Sequence, residues 1–173
     1  MSAPARLIVL VSGAPGAGKS TLAVPLAAML GLPLFTKDTI KETLYDALVP
    51  PEDTSRETSK RIGAAAMELI WSLAAAAPAA VLEANFRPGS DYERAKLTAL
   101  NARIVEVYCR CGDALAIARY AARVRHRAHV QATIDADDLT QFDRPMNLGG
   151  VIEVDTRRPV DIEALAAAVR ASL

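Results

Sequence analysis

The sequence is poor in aromatic residues, and it has no excess of charge of either sign. Aromatic residues make up 5% of its 173 residues, and 20 basic side chains balance 20 acidic ones. This balance excludes a uniformly basic surface that coats nucleic acid, although it leaves room for a local basic patch. The apolar runs are shorter than the ~20 residues of a membrane span, and Met1–Pro4 leads directly into a strand. We therefore expect neither a membrane partner nor a signal peptide.

Cysteine is also scarce, since Cys109 and Cys111 are the only two in the chain. Their C-x-C spacing lacks the second pair that would complete a metal site. The simplest interpretation is two small residues on or beside a strand of a reduced, cytoplasmic protein. Hydrophobic residues make up 51% of the chain and charged residues 23%, which excludes a disordered chain. The length predicts a single domain over residues 1–173.

Short apolar runs alternate with helical segments along the chain. The patterns predict strands at 6–11, 32–36, 79–84, 103–109 and 151–154. They predict helices at 19–29, 38–44, 54–77, 91–101, 112–127 and 161–171. The third helix carries an apolar stripe that predicts one buried face: Ile62, Ala66, Leu69, Ile70 and Leu73. Continuous apolar strands joined by helices are typical of a parallel sheet covered on both faces, so we predict an α/β layered domain.

A glycine-rich segment between the first strand and the first helix matches the pattern G-x-x-x-x-G-K-[ST]. With the threonine that follows, its residues are Gly13, Ala14, Pro15, Gly16, Ala17, Gly18, Lys19, Ser20 and Thr21. Glycines let such a loop wrap closely, so that backbone N–H groups point at phosphate oxygens near the positive end of the helix. Lys19 would then reach the β- and γ-phosphates, and Ser20 would offer its hydroxyl to Mg²⁺.

A phosphate-binding loop leaves three classes open, namely a switch GTPase, a motor-type ATPase and a small kinase. The chain lacks a guanine-reading N-K-x-D sequence and has little beyond one catalytic layer. A kinase also needs a group that accepts or orients a hydroxyl proton, and cations over the transferred phosphoryl group. Candidates for both tasks are present, which favours a small kinase.

Asp38 and Lys41 follow the second predicted strand. The carboxyl ends of parallel strands converge on the ligand crevice, beside the phosphate-binding loop. Asp38 there could hydrogen-bond the attacking hydroxyl, and it could also cap the helix that follows. Lys41 lies one turn later, and it either holds an anionic or polar acceptor or is a solvated helix charge.

Glu83, Asn85 and Arg87 follow the third predicted strand. A carboxylate at the tip of a buried strand is costly unless it meets a cation, water or hydrogen-bond donors. Glu83 is therefore a candidate for supporting Mg²⁺ through a water, or for contacting the acceptor. Asn85 shares that rim. Arg87 either binds the acceptor or a phosphate, or pairs with a surface acid such as Asp91.

Arginines spaced four apart mark the predicted helix 112–127. Arg119, Arg123 and Arg127 would lie on one face of it, and Arg125 would point elsewhere. Like charges at this spacing repel, so a sequence that keeps them indicates an anion to bind. We predict a lid over residues 113–140 whose Arg119 and Arg123 contact the phosphates, Arg127 being the weaker candidate. The alternative is that these arginines pair with downstream acids: Asp135, Asp137, Asp138 and Asp143.

Four segments, in this order, resemble a family of small P-loop kinases. They are S-G-A-P-G-A-G-K-S-T, T-K-D-T-I-K-E-T-L, V-L-E-A-N-F-R and R-Y-A-A-R-V-R. The family includes zeta-toxin-like kinases, chloramphenicol phosphotransferase and the kinase domain of phage polynucleotide kinase. The resemblance covers roughly residues 6–155. It implies a three-layer P-loop NTPase fold, with a parallel sheet of strand order 2-3-1-4-5, helices on both faces and an arginine-bearing helical lid.

The resemblance also implies roles for individual residues. The family's general base falls on Asp38, and its basic residue three positions later falls on Lys41. Its lid arginines fall on Arg119 and Arg123. Its acid and asparagine after the third strand fall on Glu83 and Asn85, where glutamate replaces the aspartate of several members and leaves a direct metal role open. The segment Val154–Thr156 would pack near the adenine, by its backbone more than by charge.

Together these observations predict an ATP- and Mg²⁺-dependent kinase that phosphorylates a hydroxyl of a small metabolite, sugar derivative or antibiotic. One alternative is a polynucleotide 5′-hydroxyl kinase, which the zero net charge and the scarcity of aromatic residues disfavour. Another is a toxin-like or regulatory ATP-binding protein. The acceptor itself is not specified by the sequence.

Overall fold

The computed structural model describes residues 6–130 and 133–172, so the expectation about Met1–Pro4 lies outside it. Its strands are β1 (Arg6–Ser12), β2 (Leu34–Thr36), β3 (Ala79–Glu83), β4 (Ala102–Arg110) and β5 (Gly150–Asp155). Its α-helices are α1 (Lys19–Leu30), α2 (Lys37–Leu48), α3 (Arg56–Ala76), α4 (Asp91–Ala99), α5 (Asp113–Ala122), α6 (Ala136–Leu139) and α7 (Ile162–Ala171). A 3-10 helix over Thr140–Phe142 follows α6 directly. Every predicted strand therefore has a counterpart.

The five strands form one parallel sheet in the order β2-β3-β1-β4-β5, as predicted. Val11 of β1 and Thr36 of β2 both align with Glu83 of β3. Because the strands run in the same direction, their carboxyl ends meet at one edge of the sheet. The loops after β1, β2 and β3 consequently begin side by side.

Alternate residues of β1 enter two separate cores. Val9 and Val11 pack with residues of α1 and α7, whereas Ile8 and Leu10 pack with residues of α3 and α4. All four of these side chains are fully buried. Burial of one such aliphatic side chain contributes about 1.5–3 kcal/mol to the stability of the fold. Because the sheet is covered on both faces, the side chains on both sides of a central strand are buried, which explains why β1 is continuously apolar. The predicted three-layer α/β fold is confirmed.

The ends of α1 and the start of α2 are determined by different residues, and the start of α2 differs from the prediction. Gly18 precedes α1 with a φ of 84°, and Gly31 ends it with a φ of 67°, the left-handed conformation that glycine adopts at low cost. Helix α2 begins after Thr36, so the prediction that Asp38 caps this helix is wrong. Asp38 lies in the first turn instead, where a carboxylate is stabilised by the helix dipole.

Helix α5 is shorter than predicted. It ends at Ala122, and Arg123 already has extended backbone angles of φ −76° and ψ 130°. Arg127 is bound elsewhere, because its guanidinium donates to the carbonyl oxygens of Val49 and Pro50 after α2. These bonds hold this part of the chain against the end of α2, and the helix has already ended before it. The prediction that Arg127 shares a helix face with Arg119 is therefore wrong.

Helix α3 also departs from its predicted apolar stripe. Ala66 and Ile70 are fully buried, but Leu69 is 41% exposed and Leu73 is 40% exposed. The buried face is completed by Trp71 and Ala74 instead. Among the described residues, no helix is long and apolar enough to cross a bilayer.

Both cysteines are buried and free, which fits their interpretation as small residues of the sheet region. Burial raises the pKa of the Cys109 thiol to about 12, although the Lys19 ammonium nearby works against this shift. At neutral pH this thiol therefore stays protonated and unreactive.

Candidate active site

The loop after β1 is built so closely that two of its positions admit only glycine. Gly13 has a φ of 126°, and a Cβ added there would lie 2.2 Å from the carbonyl oxygen of Cys109. Gly16 has a φ of 82°, and its Cβ would lie 2.1 Å from the carbonyl oxygen of Ala116 in α5. Both distances are far below van der Waals contact, so a side chain cannot fit at either position. The backbone of the loop therefore packs directly against these two carbonyl groups.

A fully buried carboxylate supports the strand that leads into this loop. The Glu106 carboxylate of β4 accepts the Ser12 hydroxyl at 2.6 Å and the backbone N–H groups of Met146 and Asn147 at 2.9 Å and 3.0 Å. A buried charge is tolerated when donors surround it in this way. Glu106 therefore fixes Ser12, the residue before Gly13. Sequence analysis missed this positioning residue because nothing in its strand pattern distinguishes it.

The first residue of α1, Lys19, is only 5% exposed, and its ammonium donates to the carbonyl oxygen of Ala14 at 2.7 Å. Burial lowers the pKa of this ammonium, while Glu83 and Asp38 partly oppose the shift. No side chain caps the start of α1, so its first backbone N–H groups keep their capacity to donate to an anion. A bent glycine loop, open N–H groups and a buried ammonium fit a polyphosphate.

Glu83 ends β3 against the loop and is 5% exposed. The Ser20 hydroxyl donates to the Glu83 carboxylate over 3.5 Å. Burial raises the pKa of Glu83, and the Lys19 ammonium partly opposes that shift. The described residues contain no group of three or more side chains of the kinds that hold a metal. Oxygen donors such as Ser20 and Glu83 suit Mg²⁺, which typically takes one or two protein ligands and completes its shell with phosphates and water.

Asp38 and Lys41 lie on the next element, at the start of α2, and both line the same cleft as Lys19. Among the described residues, Asp38 has no ion-pair partner within 4.0 Å. The Lys41 ammonium donates to the Ser59 hydroxyl of α3 at 2.9 Å, and that hydroxyl donates to the Ala128 carbonyl at 2.6 Å. Lys41 is 8% exposed, so the alternative of a solvated helix charge is wrong.

Asn85 and Arg87 line the cleft as well. Arg87 donates twice to the Glu93 carboxylate of α4, from Nε at 2.8 Å and from a terminal nitrogen at 2.6 Å. Arg87 thus follows the alternative of an acidic partner, with Glu93 in place of Asp91, and both of these nitrogens donate to the same oxygen, Oε1. This pair occupies the planar edge of the guanidinium that would otherwise bind an anion.

Three arginines of the lid region reach the cleft, and the fourth does not. Arg119 donates to the Thr156 carbonyl at 3.0 Å, and one of its nitrogens approaches Gly18. Arg123 lines the cleft, and so does Arg125, which stacks over an aromatic ring of α5 with 3.3 Å between the guanidinium carbon and the ring centre. The expectation that Arg125 points elsewhere is therefore wrong, and Arg127 faces α2. Among the described residues, no ion pair within 4.0 Å joins Arg119 or Arg123 to Asp135, Asp137 or Asp143.

One cleft of about 1170 Å³ brings most of the predicted site residues together. They are Pro15, Gly16, Gly18, Lys19, Ser20, Thr21, Asp38, Lys41, Glu83, Asn85, Arg87, Arg119 and Arg123. Gly13, Ala14 and Ala17 shape the loop behind this surface. The Thr156 hydroxyl supports the same loop by donating to the Ala17 carbonyl at 2.7 Å.

The cleft has a second wall that sequence analysis missed. One face of α3 lines it: Arg56, Ser59, Lys60, Gly63, Ala64 and Met67. Steps of three and four residues place these positions on a single helical stripe, and that spacing was the available signal. This spacing is hard to recognise in the sequence, because the stripe has polar residues at one end and small or apolar residues at the other. We call the part of the cleft lined by residues 15–22, Arg119 and Thr156 the P-loop half, and the part lined by α2 and α3 the α3 half.

Comparison with solved structures places this architecture among small kinases. The chain is 28% identical to a candidate kinase from Chloroflexus aurantiacus, with a TM-score of 0.83 and with 98% of this chain and 100% of that one covered. A sugar kinase from a Janibacter species is 17% identical, with a TM-score of 0.60 over 97% of this chain and 94% of that one. A shikimate kinase from Acinetobacter baumannii, solved with shikimate, is 14% identical, with a TM-score of 0.57 over 94% and 90%.

These likenesses confirm the fold of the small P-loop kinases. No curated protein matches the chain. A narrower kinship with zeta-toxin-like kinases or chloramphenicol phosphotransferase stays a prediction. The AAA domain family matches residues 8–145, which run from β1 to just beyond the 3-10 helix and include every predicted site residue. With the P-loop, the sheet order and this match in agreement, the chain belongs to the AAA domain family AAA_33.

Proposed function

We propose that the protein is an ATP-dependent kinase that transfers the γ-phosphoryl group to a hydroxyl of a small molecule. One observation carries the proposal. A single cleft contains a phosphate-binding loop, a carboxylate without an ion-pair partner at the carboxyl end of β2, and three arginines from the lid region. This combination supplies a nucleotide site, a group for the hydroxyl proton and cations for the developing charge.

In the proposed reaction, the acceptor oxygen forms a bond to the γ-phosphorus while the bond to the β–γ bridging oxygen breaks, which leaves ADP. Asp38 orients the hydroxyl and takes its proton, which then passes to solvent. Lys19, Arg119 and Arg123 balance the negative charge on the transferred group. Ser20 and Glu83 would hold Mg²⁺, directly or through water, and the ion when bound neutralises charge on the phosphates.

The size of the cleft supports a small acceptor. A volume of about 1170 Å³ is ample for a nucleotide together with a molecule of metabolite size. Similarity in fold to a sugar kinase and a shikimate kinase points to the same class of acceptor. A polynucleotide would need a basic track and aromatic platforms for stacking. Among the described residues, the aromatic side chains that line the cleft are Tyr120 and Phe142, and Arg125 already covers the ring of Tyr120.

The test is a screen for phosphoryl transfer from ATP to alcohols, sugars, nucleosides and hydroxylated antibiotics, with product detection by mass spectrometry. The Asp38→Asn variant should bind ATP with unchanged affinity in calorimetry and transfer phosphate about 100- to 1000-fold more slowly. Asp91→Asn is the matched control, because Asp91 also lies in the first turn of a helix but outside the cleft. Turnover at the wild-type rate in Asp38→Asn would remove Asp38 from the role of base. No transfer to any acceptor would overturn the kinase assignment.

A further inference from the structure

The α3 half of the cleft is strongly basic. Four cations line it: Lys37, Lys41, Arg56 and Lys60. Among the described residues, none of the four forms an ion pair within 4.0 Å with an acidic side chain. By contrast, the nearby Arg87 is neutralised by Glu93. The acids of the cleft floor, Asp38 and Glu83, act electrostatically on Lys19 at the P-loop end. The cations beside α3 therefore lack a close ion-pair partner among the described residues, and Asp38 and Glu42 act on Lys41 only from a longer distance.

Lys41 distinguishes this cluster from ordinary surface lysines. It is 8% exposed, and the polar group that it contacts is the neutral Ser59 hydroxyl, at 2.9 Å. That hydroxyl has already committed its own proton to the Ala128 carbonyl, so it presents a lone pair to Lys41. Two further N–H donors of the ammonium remain for another acceptor.

Keeping a charge at this position is costly for the folded protein. Burial lowers the pKa of the Lys41 ammonium, and the positive charge of Lys37 lowers it further, while Asp38 and Glu42 oppose the shift. A buried ammonium with one neutral partner loses hydration that a single hydroxyl does not replace. An oxyanion would replace it, since charge-assisted hydrogen bonds are roughly twice as strong as neutral ones.

The shape of the α3 stripe is compatible with a ligand beside Lys41. Gly63 lies one turn after Ser59 and presents no side chain, and the hydrocarbon stem of Lys41 runs past it at 3.6 Å from where a Cβ would be. Ala64 continues the same small surface, and Met67 closes it with an apolar side chain. An anionic end near Lys41 would thus leave the rest of a small molecule beside the small residues of α3, in the cleft that Asp38 also lines.

We propose that the phosphoryl acceptor is a small hydroxylated acid whose carboxylate or phosphate group is bound by Lys41, with Arg56 and Lys60 at the mouth of the cleft. This inference rests on the proposed kinase function and narrows its substrate class. Lys41 and Asp38 lie about one helical turn apart, which allows one small molecule to present its acid group to Lys41 and its hydroxyl to Asp38.

The test compares acceptors in pairs that differ by one acidic group: glycerate with glycerol, gluconate with sorbitol, and glucose 6-phosphate with glucose. We expect kcat/KM to be at least about 30-fold higher for the acidic member of a pair that is turned over, the effect of one buried charge-assisted contact. The carboxylate and phosphate pairs separate the two sources of the oxyanion. A 5′-hydroxyl oligonucleotide is included because it is also anionic.

The variant Lys41→Gln keeps a hydrogen-bond donor for Ser59 and removes the charge. It should raise KM for the acidic acceptor about 30-fold and leave KM for ATP unchanged. Lys96→Gln is the matched control, because Lys96 pairs with Glu68 outside the cleft. Lys41→Arg keeps the positive charge and should therefore retain much of the preference for the acidic acceptor. If Lys41 had only a structural role, this preference would not depend on the charge.

The outcomes are separable. Equal kcat/KM for acidic and neutral acceptors, or an unchanged KM in Lys41→Gln, overturns the acidic acceptor and leaves the kinase standing. Preference for the oligonucleotide over every small acid overturns the small acceptor. Absence of transfer to all of these compounds overturns the proposed function itself, and this inference with it.

Discussion

The two halves of the cleft are built from different parts of the chain. The P-loop half presents mainly backbone, shaped by Gly13 and Gly16, with one buried ammonium from Lys19. The α3 half presents side chains from two helices, and its central cation, Lys41, is held by a hydroxyl of the neighbouring helix. A backbone site needs glycine at fixed positions and therefore leaves a compact motif. A site built from side chains appears in the sequence only as scattered residues, although its geometry in the structure is equally well defined.

The largest expected effect removes the cation of the P-loop half. Lys19→Ala should reduce phosphoryl transfer about 1000-fold, because Lys19 is the only lysine of the described residues whose ammonium hydrogen-bonds to the loop. Thermal unfolding should change little, since loss of a buried cation also relieves its desolvation. Steady-state kinetics with calorimetric ATP binding gives both answers. Transfer within ten-fold of wild type would mean that the P-loop half works without its lysine.

The second effect tests whether the P-loop half depends on backbone shape. Gly16→Ala should lower the free energy of unfolding by about 3 kcal/mol, because the new Cβ meets the Ala116 carbonyl in addition to the unfavourable φ. Gly31→Ala is the control, since Gly31 has a φ of 67° with nothing within 4 Å of the added Cβ. It should cost about 1 kcal/mol. Equal losses in urea unfolding would show that close approach of α5 is unimportant.

The third effect probes the support of the α3 half. Ser59→Ala leaves the Lys41 ammonium and the Ala128 carbonyl without their partner, so the unfolding free energy should fall by about 1–3 kcal/mol. KM for ATP should be unaffected. Ser72→Ala, at an exposed position of the same helix, should change stability by less than about 0.5 kcal/mol. A loss of stability as small as that of the control would contradict a supporting role for Ser59.

The smallest expected effect is a pH dependence of acceptor binding in the α3 half. The pKa of Lys41 is lowered by burial, so this ammonium loses its proton at a lower pH than an ordinary lysine. KM for an acidic acceptor should therefore rise a few-fold as the pH approaches that lowered pKa from below. In Lys41→Arg the cation stays charged, and the rise should disappear. A rise of the same size in both proteins would assign the effect to another group.

The sequence was sufficient for the sheet and for most of the P-loop half. Unbroken apolar runs such as Leu7–Val11 correctly predicted the buried strands. The glycine-rich motif predicted the position of the phosphate site. It failed at α5, where the spacing of Arg119, Arg123 and Arg127 predicted a longer helix. Arg127 contacts the end of α2 instead, and its partners there lie too far away in sequence to be read from a periodic pattern.

The α3 half was only partly predictable, for a related reason. Asp38 and Lys41 follow a strand, so their place near the site was expected from the chemistry of sheet edges. The stripe of α3 that lines the cleft begins at Arg56 and Lys60. The apolar residues of the same helix predict only its other, buried face. A mixed stripe of charged, small and apolar residues has no signature until a second helix lies opposite it.

The sequence by itself determined the layered α/β fold and the phosphate-binding loop, because both follow from local rules of burial periodicity and backbone freedom. Only the tertiary structure decided which cations share the cleft. It brought Arg125 in and left Arg127 out, it neutralised Arg87 with Glu93, and it buried Lys41 against Ser59. The physical reason is that the environment of a charge depends on which groups surround it in space, and those groups come from distant parts of the chain.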